Sequence, residues 1–297
     1  MITGVWPRFW LLLAFGAAGA GPAFGQMASG PGAASAPDKS HYTLFKPTPA
    51  DRTRSFCTDR PTKANAPCTV DAGHFQYEAD MFNWAYAHSG GVTTNTYLFT
   101  NPTFKWGLTN SVDFELAIAP AQRMTIKGRF GKSDLTGVGD LFLRTKVNLA
   151  GPEGEDFRLT ALPFVKIPTA KPGIGNKAVE AGLIVPVSFA LPGDVTLLFD
   201  PEIDILRNAA NAGRHANFQS LANLSRPLSG SVTGYVELWG SINDDPSGTV
   251  EQASLDLALS WMAWEKLPNL QFDIGANIGL TRDTPRIQAY AGISQRF

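Results

Sequence analysis

From residue 74 to the last residue, apolar and polar side chains alternate in twelve segments that are separated by turn residues. The segments are 74–86, 96–106, 112–118, 140–149, 157–167, 178–191, 195–206, 216–224, 232–241, 255–261, 271–278 and 286–297. A period of two predicts β-strands with one buried face. An even number of strands, each about ten residues long, is typical of a bacterial outer-membrane barrel with lipid outside and a polar interior.

We therefore expect an all-β fold: a closed, antiparallel transmembrane β-barrel of about twelve strands over residues 71–297. Strands about 4.8 Å apart and tilted by about 40° give a backbone diameter near 24 Å, which leaves a narrow lumen. A soluble β-sandwich is the alternative, because it alternates in the same way, but it needs covered or charged edges. Mean hydropathy, −0.07, does not separate the two folds.

Connection lengths give a second test, because outer loops of such barrels are longer than inner turns. The predicted inner connections are short: 107–110, 150–156, 191–194, 226–230 and 265–269. The predicted outer connections are mostly longer: 120–137, 168–177, 207–215 and 242–249, with 281–285 as the short exception. The alternation favours the barrel.

Residues 1–25 have the pattern of a secretory signal peptide. Arg8 precedes the short apolar run 9–20, and residues 23–25 resemble a small-x-small cleavage site before Gln26. An N-terminal anchor helix is the alternative, but the run is short and rich in Gly and Ala. We expect export to the outer membrane. Without Arg8, the 25 basic residues become 24 against 26 acidic ones, so no basic excess suggests nucleic acid.

Residues 26–70 are rich in Pro, Gly, Ala, Ser and Thr and have no regular period. We interpret them as a periplasmic segment that is flexible to about residue 50. Cys57 and Cys68 follow, and the oxidising periplasm favours a disulfide between them over two free thiols. The segment has too few ligands for a metal site. It could alternatively be a small plug, but it looks too short to fill a lumen.

Ionisable residues on the polar faces are the candidate lumen sites. Asp200, Glu202 and Asp204 follow one another on one face, and three like charges at this spacing need a cation, a basic neighbour or raised pKa values. We expect them to form a selectivity patch. Further selectivity candidates are Glu78, Asp80, Arg144 and Lys146, which could instead pair across strands and fill the lumen. Inward Tyr235 and Trp239 could stack on a ligand.

Aromatic residues near strand ends predict the girdle that marks a membrane interface. They are Trp84, Tyr86, Trp106, Trp261 and Trp264. The predicted outer loop 120–137 carries Arg123, Lys127, Arg129 and Lys132. It could fold inward as a constriction or bind lipopolysaccharide phosphates outside.

Nothing in the sequence predicts an enzyme or a cofactor. The four histidines are His41, His74, His88 and His215. None has the His-x-Ser-Asn pattern of the twelve-stranded outer-membrane phospholipases. His88 precedes Ser89 in a Gly-rich loop, with no third partner predicted.

Four pieces of the chain resemble a known family. They are CTDRPTKANAPCTVDAGHFQYE at 57–78, TGVGDL at 136–141, VKIPTA at 165–170 and the C-terminal strand. They resemble proteins called putative MetA-pathway of phenol degradation, over roughly residues 55–297. Ala170 stands where the family commonly has glycine.

The resemblance implies an outer-membrane transporter for aromatic or other hydrophobic compounds. The C-terminal strand is also similar to the signal read by the barrel assembly machinery: Gly292 and Phe297 match it, and Gln295 replaces an aromatic. We expect a channel for passive uptake of small molecules. A non-conducting structural or binding barrel is the alternative, and an outer-membrane enzyme is a weaker one.

Overall fold

The computed structural model describes residues 38–210, 212–264 and 267–297. The predicted signal peptide, 1–25, and the start of the N-terminal segment, 26–37, lie outside the described residues. One turn of 3-10 helix spans Ala50–Arg52. Among the described residues, no helix is long and apolar enough to cross a membrane.

Within the described ranges, sixteen strands form one antiparallel sheet. They are β1 Phe75–Ser89, β2 Val92–Thr109, β3 Val112–Ile118, β4 Ala121–Gly128, β5 Gly131–Gly137, β6 Leu141–Ala150, β7 Phe157–Ile167, β8 Glu180–Ile184, β9 Val187–Leu191, β10 Val195–Phe199, β11 Glu202–Arg207, β12 Arg214–Ser229, β13 Val232–Asp245, β14 Gly248–Trp264, β15 Leu267–Gly279 and β16 Ile287–Arg296. Because β1 pairs with both β2 and β16, the sheet closes on itself. Where the wall is closed it has no unpaired edge, so its backbone groups need no water there, whereas β5 at the distal end pairs with β4 alone.

The wall has twelve strand positions, as the sequence predicted. Four positions are interrupted and are each made of two consecutive strands: β3 with β4, β5 with β6, β8 with β9, and β10 with β11. Three of the four interruptions contain a proline: Pro120, Pro186 and Pro201. Proline has no N–H to donate to the ladder, so it breaks the regular pairing without ending the wall.

The two faces of the wall differ as the alternation requires. Val236 and Leu257 lie on the outside, where they are 49% and 45% exposed. Their neighbours in sequence, Glu237 and Asp256, point inward and have no exposed surface. A row of apolar side chains exposed beside a row of buried charges is stable only where lipid surrounds the outside.

Two ends of the barrel can be distinguished. The terminal end is the one where β1 begins and β16 ends, and the distal end is the opposite one. At the terminal end, connections such as Gly230–Ser231 are short, as expected. The distal end has longer connections after β7, β11 and β15.

Two of the predicted distal loops are mostly strand, and β1 and β2 extend beyond the predicted segments 74–86 and 96–106. Residues 120–137 are mostly not a loop, because β4 and β5 form a hairpin that pairs with β2 and extends the wall. The hairpin therefore does not fold inward as a constriction. Residues 242–249 likewise continue β13 and β14, and β1 joins β2 through Gly90 and Gly91 alone. Beyond the lipid, paired strands need no apolar face, so the alternation that located the strands ends before the strands do.

Candidate functional site

The barrel interior contains a part of the chain itself, residues 54–71, which we call the inserted loop. It enters at the terminal end, turns near the middle of the barrel and returns. At its base, Arg54 Nε donates a hydrogen bond to Asp71 Oδ1 at 2.9 Å. Cys57 and Cys68 form a disulfide that closes the loop.

The prediction that the N-terminal segment is too short to occupy the lumen is wrong for its last part, the inserted loop. Large inward side chains already occupy much of the interior, so a short loop that meets them is sufficient. Residues 38–53, predicted to be periplasmic, lie along the terminal end, where Leu44 N donates to Leu108 O at 2.9 Å and Lys39 pairs with Glu153. Burial would raise the pKa of Glu153, but hydrogen bonds from Lys39 and Asn110 lower it below its usual value.

Arg60 anchors the inserted loop to one side of the wall. Its guanidinium bonds both carboxylate oxygens of Asp273, with Nη2–Oδ1 at 2.6 Å and Nε–Oδ2 at 2.9 Å. Its Nη1 bonds Asp80 Oδ1 at 2.6 Å. The two-pronged contact uses the fork geometry that only arginine offers. Gly292 makes this possible, because a Cβ there would overlap the guanidinium.

Lys63 anchors the tip to β14, next to the β15 strand that holds Asp273, and Asn65 anchors it farther round the wall, between β10 and β11. Lys63 Nζ pairs with Asp256 and donates to Ser254 Oγ at 3.0 Å. The same ammonium lies 5.0 Å from the centre of the Trp239 ring, within the range of a cation–π contact. Asn65 donates from its backbone N and its Nδ2 to Asp200 Oδ2, at 2.8 and 2.9 Å.

Asp59 is the acidic anchor of the inserted loop. Its carboxylate accepts from Lys105 Nζ at 2.5 Å and from Lys146 Nζ at 2.7 Å. The two lysines also face the buried carboxylates of Glu78 and Glu115. Burial would raise the pKa of Asp59, but the two ammonium groups lower it below its usual value. The inserted loop thus supplies cations to carboxylates of the wall, through Arg60 and Lys63, and a carboxylate to lysines of the wall, through Asp59.

The predicted acidic patch comes together only in part. Asp200, Glu202 and Asp204 lie on one inward face, as expected, but Asp200 bonds Asn65 of the inserted loop. Asp204 Oδ2 accepts from Asn217 at 2.8 Å and Gln219 at 2.9 Å. Glu202 is less buried and lines an open cavity. Glu78, Asp80 and Lys146 also face the inserted loop. Their role in selectivity stays a prediction.

A cavity of about 290 Å³, which we call the distal chamber, lies beside the tip of the inserted loop. Its lining includes Phe142, Arg144, Phe164, Glu202 and Trp239. The Arg144 guanidinium lies 5.6 Å from the Phe142 ring centre, and its Nε has no hydrogen-bond partner in the described part of the chain. The chamber therefore offers aromatic rings, the cations of Lys63 and Arg144, and the carboxylates of Asp200 and Glu202.

A second cavity of about 300 Å³, the terminal chamber, lies on the other side of the inserted loop. Tyr235 lines it, and its hydroxyl lies 3.0 Å from Ser260 Oγ. The two predicted stacking residues are therefore separated, because Tyr235 faces the terminal chamber and Trp239 faces the distal one. Their contact with a ligand stays a prediction. The inserted loop lies between the chambers.

A larger depression, about 730 Å³, is elsewhere. It lies on the outside of β12 to β15 among exposed apolar side chains, including Leu224, Val236, Leu257 and Ile274. Its position on the lipid-facing surface separates it from the polar interior.

His88 and His215, which were considered as possible catalytic residues, lie within hydrogen-bond distance of nearby polar side chains. His88 Nδ1 lies 3.0 Å from Thr93 Oγ1 on the exposed distal wall. The His215 ring lies between Asn208 Oδ1, at 2.9 Å, and Asn243 Oδ1, at 2.7 Å. Among the described residues, no group of three or more His, Cys, Asp or Glu is placed to hold a metal ion.

Sequence reasoning missed Arg60, Lys63 and Asp59 as functional candidates. All three lie in a segment without regular period, and their partners are far away in sequence: 213 residues separate Arg60 from Asp273. The available hint was three charged residues within the short span between two cysteines.

The family model described as "Putative MetA-pathway of phenol degradation" matches residues 58–297. No curated protein matches the chain.

Two solved structures have similar folds. An outer membrane channel from Pseudomonas putida F1 has a TM-score of 0.58 at 12% identity, covering 75% of this chain and 95% of that one. The translocator domain of the autotransporter NalP from Neisseria meningitidis has a TM-score of 0.50 at 13% identity, covering 75% and 88%. At these identities the likeness shows the fold: an outer-membrane barrel.

Proposed function

The chain belongs to the family "Putative MetA-pathway of phenol degradation", and from that premise we propose that it is an outer-membrane channel for passive uptake of small molecules. The terminal end faces the periplasm, because both ends of an outer-membrane barrel chain lie there. Residues 1–25 direct export.

One observation carries the proposal: a closed wall, apolar outside, surrounds a polar interior with a chamber on each side of the inserted loop. A barrel that served only as an anchor would need neither chamber. Each chamber, at about 300 Å³, has the size of a small-molecule site. The solute would move from the distal chamber to the terminal chamber.

The inserted loop separates the two chambers, so passage requires this loop to shift. Its anchors are buried ion pairs, such as Arg60 with Asp273. Buried ion pairs contribute little net stability because the lost hydration offsets their attraction. They do fix geometry, since a displaced partner leaves a charge unpaired. The loop would therefore have one well-defined resting position, and its movement would require water or the solute to solvate the separated charges.

The distal chamber suits a small aromatic solute that carries a polar group. Phe142, Phe164 and Trp239 provide ring faces, and the Arg144 guanidinium could donate hydrogen bonds to an anionic or hydroxyl oxygen of the solute. Glu202 could accept a hydrogen bond from the solute. The family description, which refers to phenol degradation, agrees with this solute class.

The alternative is a non-conducting barrel, and the anchoring of the inserted loop favours it. Lumen residues from both sides of the barrel hold the loop, including Asp80, Asp200 and Asp256. If these contacts never open, the barrel would bind solutes from one side without passing them.

Planar-bilayer recording and liposome swelling with the purified full chain distinguish the channel from the non-conducting barrel. The channel predicts conductance steps and faster swelling in small solutes. Glu202→Gln should lower cation preference, because the Glu202 carboxylate lines the distal chamber, whereas that of Asp200, which also lines it, accepts hydrogen bonds from Asn65. Asp134→Asn, outside the lumen, is the matched control. Folded protein that gives no steps and no swelling at high protein concentration would establish the non-conducting alternative. Unchanged selectivity in Glu202→Gln would make the patch structural.

Partners in the envelope follow from the same placement. We propose that the barrel assembly machinery recognises the closing strand, in which Phe297 N bonds Phe75 O at 2.8 Å. Lipid would surround the apolar outer face, and lipopolysaccharide would meet the distal part of the wall. Enzymatic activity and cofactors are not part of this proposal.

A further inference from the structure

The β4–β5 hairpin presents three cations on its outer face, which we call the cationic face: Arg123, Lys127 and Lys132. In the strand register, Arg123 lies opposite Tyr97 of β2. Lys127 lies opposite Thr93 of β2 and opposite Lys132 of β5. Directly opposed residues of antiparallel strands project from the same side of the sheet.

That side faces the lipid. The Tyr97 ring lies 6.4 Å from the Phe82 ring, and the Phe99 ring lies 5.8 Å from it. Phe82 and Phe99 are both exposed on the outer wall. The opposite side of the hairpin faces inward, where Gln122 lines a lumen cavity. The cationic face is therefore outside the barrel and does not touch the solute path.

The cations lie above a belt of aromatic residues. Trp84 is opposite Tyr97 in the register, at the level of Arg123. Lys127 is four residues farther along its strand, which is about 10 Å farther from the membrane core for a strand tilted by about 40°. Interfacial aromatic residues mark the headgroup level. The three cations thus span the height where outer-leaflet headgroups lie.

The positive charges of the cationic face are only partly neutralised by acidic side chains. Asp134 is the nearby acid, at 3.4 Å from Arg123 and 2.8 Å from Lys132. Three cations against one carboxylate leave two positive charges in excess on this face. The Arg123 and Lys132 side chains remain about half exposed, at 52% and 48%. Their amine and guanidinium groups have free donors for an external anion.

We propose that the cationic face binds the phosphate groups of lipid A, the anionic glycolipid of the outer leaflet. This inference rests on the proposed placement in the outer membrane. Arginine and lysine bind phosphate through charge-assisted hydrogen bonds, and the aromatic belt below packs against acyl chains. The hairpin extends this wall beyond the lipid, and so places the cations beside the headgroups and clear of the lumen.

Binding of fluorescent diphosphoryl lipid A to the full chain in detergent tests the proposal. The test variant is Lys127→Gln/Lys132→Gln, and the matched control is Arg282→Gln/Arg286→Gln, which removes the same charge from another distal loop. We expect the test variant to bind roughly tenfold more weakly or worse, and the control to stay within about twofold, since each headgroup-level cation contributes about fivefold. Phosphate-free lipid A should not distinguish the variants.

Equal affinity of test and control variants would overturn the proposal, as would equal binding of phosphate-free lipid A by the wild-type protein. A shift in electrophoretic mobility on heating checks that each variant is folded, and the milder variant Lys127→Gln serves if the double variant is not. The measurement needs no conductance. A failed channel with intact lipid A binding therefore refutes only the proposed function, and a working channel with equal affinities refutes only this inference.

Discussion

Gly292 is the residue at which the wall and the inserted loop depend most directly on each other. It lies in β16, where a Cβ would overlap the Arg60 guanidinium and the Ala79 carbonyl. The guanidinium is held by Asp80 and Asp273 and cannot easily move aside. Glycine at position 292 is therefore needed for Arg60 to bind in its observed position.

We predict that Gly292→Ala destabilises the folded barrel by about 1–3 kcal/mol, because overpacking displaces a buried ion pair. It should also speed solute entry in liposome swelling. Gly240→Ala is the control, since the nearest atom to its Cβ would be the Gln252 carbonyl oxygen at 3.6 Å, an ordinary contact. Urea unfolding in detergent measures the difference. Equal stability of the two variants would contradict the prediction.

At the same scale, Asp200, Glu202 and Asp204 show what sequence can indicate about a site. Their spacing placed all three on one inward face, and the structure agrees. It could not show that amide groups engage Asp200 and Asp204 while Glu202 lines the distal chamber. Those amides come from other parts of the chain, so no local pattern contains them.

Among the elements, the inserted loop is the one whose conformation the disulfide restricts. Cys57 and Cys68 are 11 residues apart in sequence. In the chain-entropy model, a disulfide that closes a loop of this length lowers the entropy of the unfolded chain and so stabilises the folded state by about 3 kcal/mol. The disulfide therefore favours a preformed loop that can fit among inward side chains.

We predict that Cys57→Ser/Cys68→Ser leaves the barrel folded but loosens the inserted loop. Trypsin should then cleave after Lys63 several-fold faster, and liposome swelling should be faster too. The wild-type protein under reducing conditions should behave in the same way. Heat-dependent mobility on a gel checks the barrel. If proteolysis and swelling match the oxidised wild type, the ion pairs alone hold the loop.

For the whole molecule, the decisive contact is closure between the first and last strands. Phe297 N donates to Phe75 O, and the two rings lie 5.8 Å apart. The Phe297 carbonyl also lies 3.0 Å from His74 Nδ1, whose other nitrogen lies 2.8 Å from Thr48 O. The chain end thus joins the barrel seam to the segment that precedes the inserted loop.

We predict that Phe297→Ala lowers the amount of folded barrel in the outer membrane several-fold. Phe218→Ala is the control, because Phe218 is a similarly exposed, lipid-facing ring away from the seam. Each variant loses one ring in contact with lipid, so a larger effect at Phe297 isolates closure and recognition. The folded fraction in membrane preparations is the measurement. Equal losses would assign Phe297 to lipid contact alone.

The alternation of apolar and polar residues was enough to predict the wall: its twelve strand positions, its inward and outward faces and its apolar exterior. These features depend on a period of two, which can be recognised within each short strand segment without knowledge of its neighbours. Three features follow from tertiary contacts: residues 54–71 occupy the interior, β4 and β5 extend the wall, and Glu202 lines open space. Each depends on which residues distant in sequence become neighbours, and no local pattern contains that information.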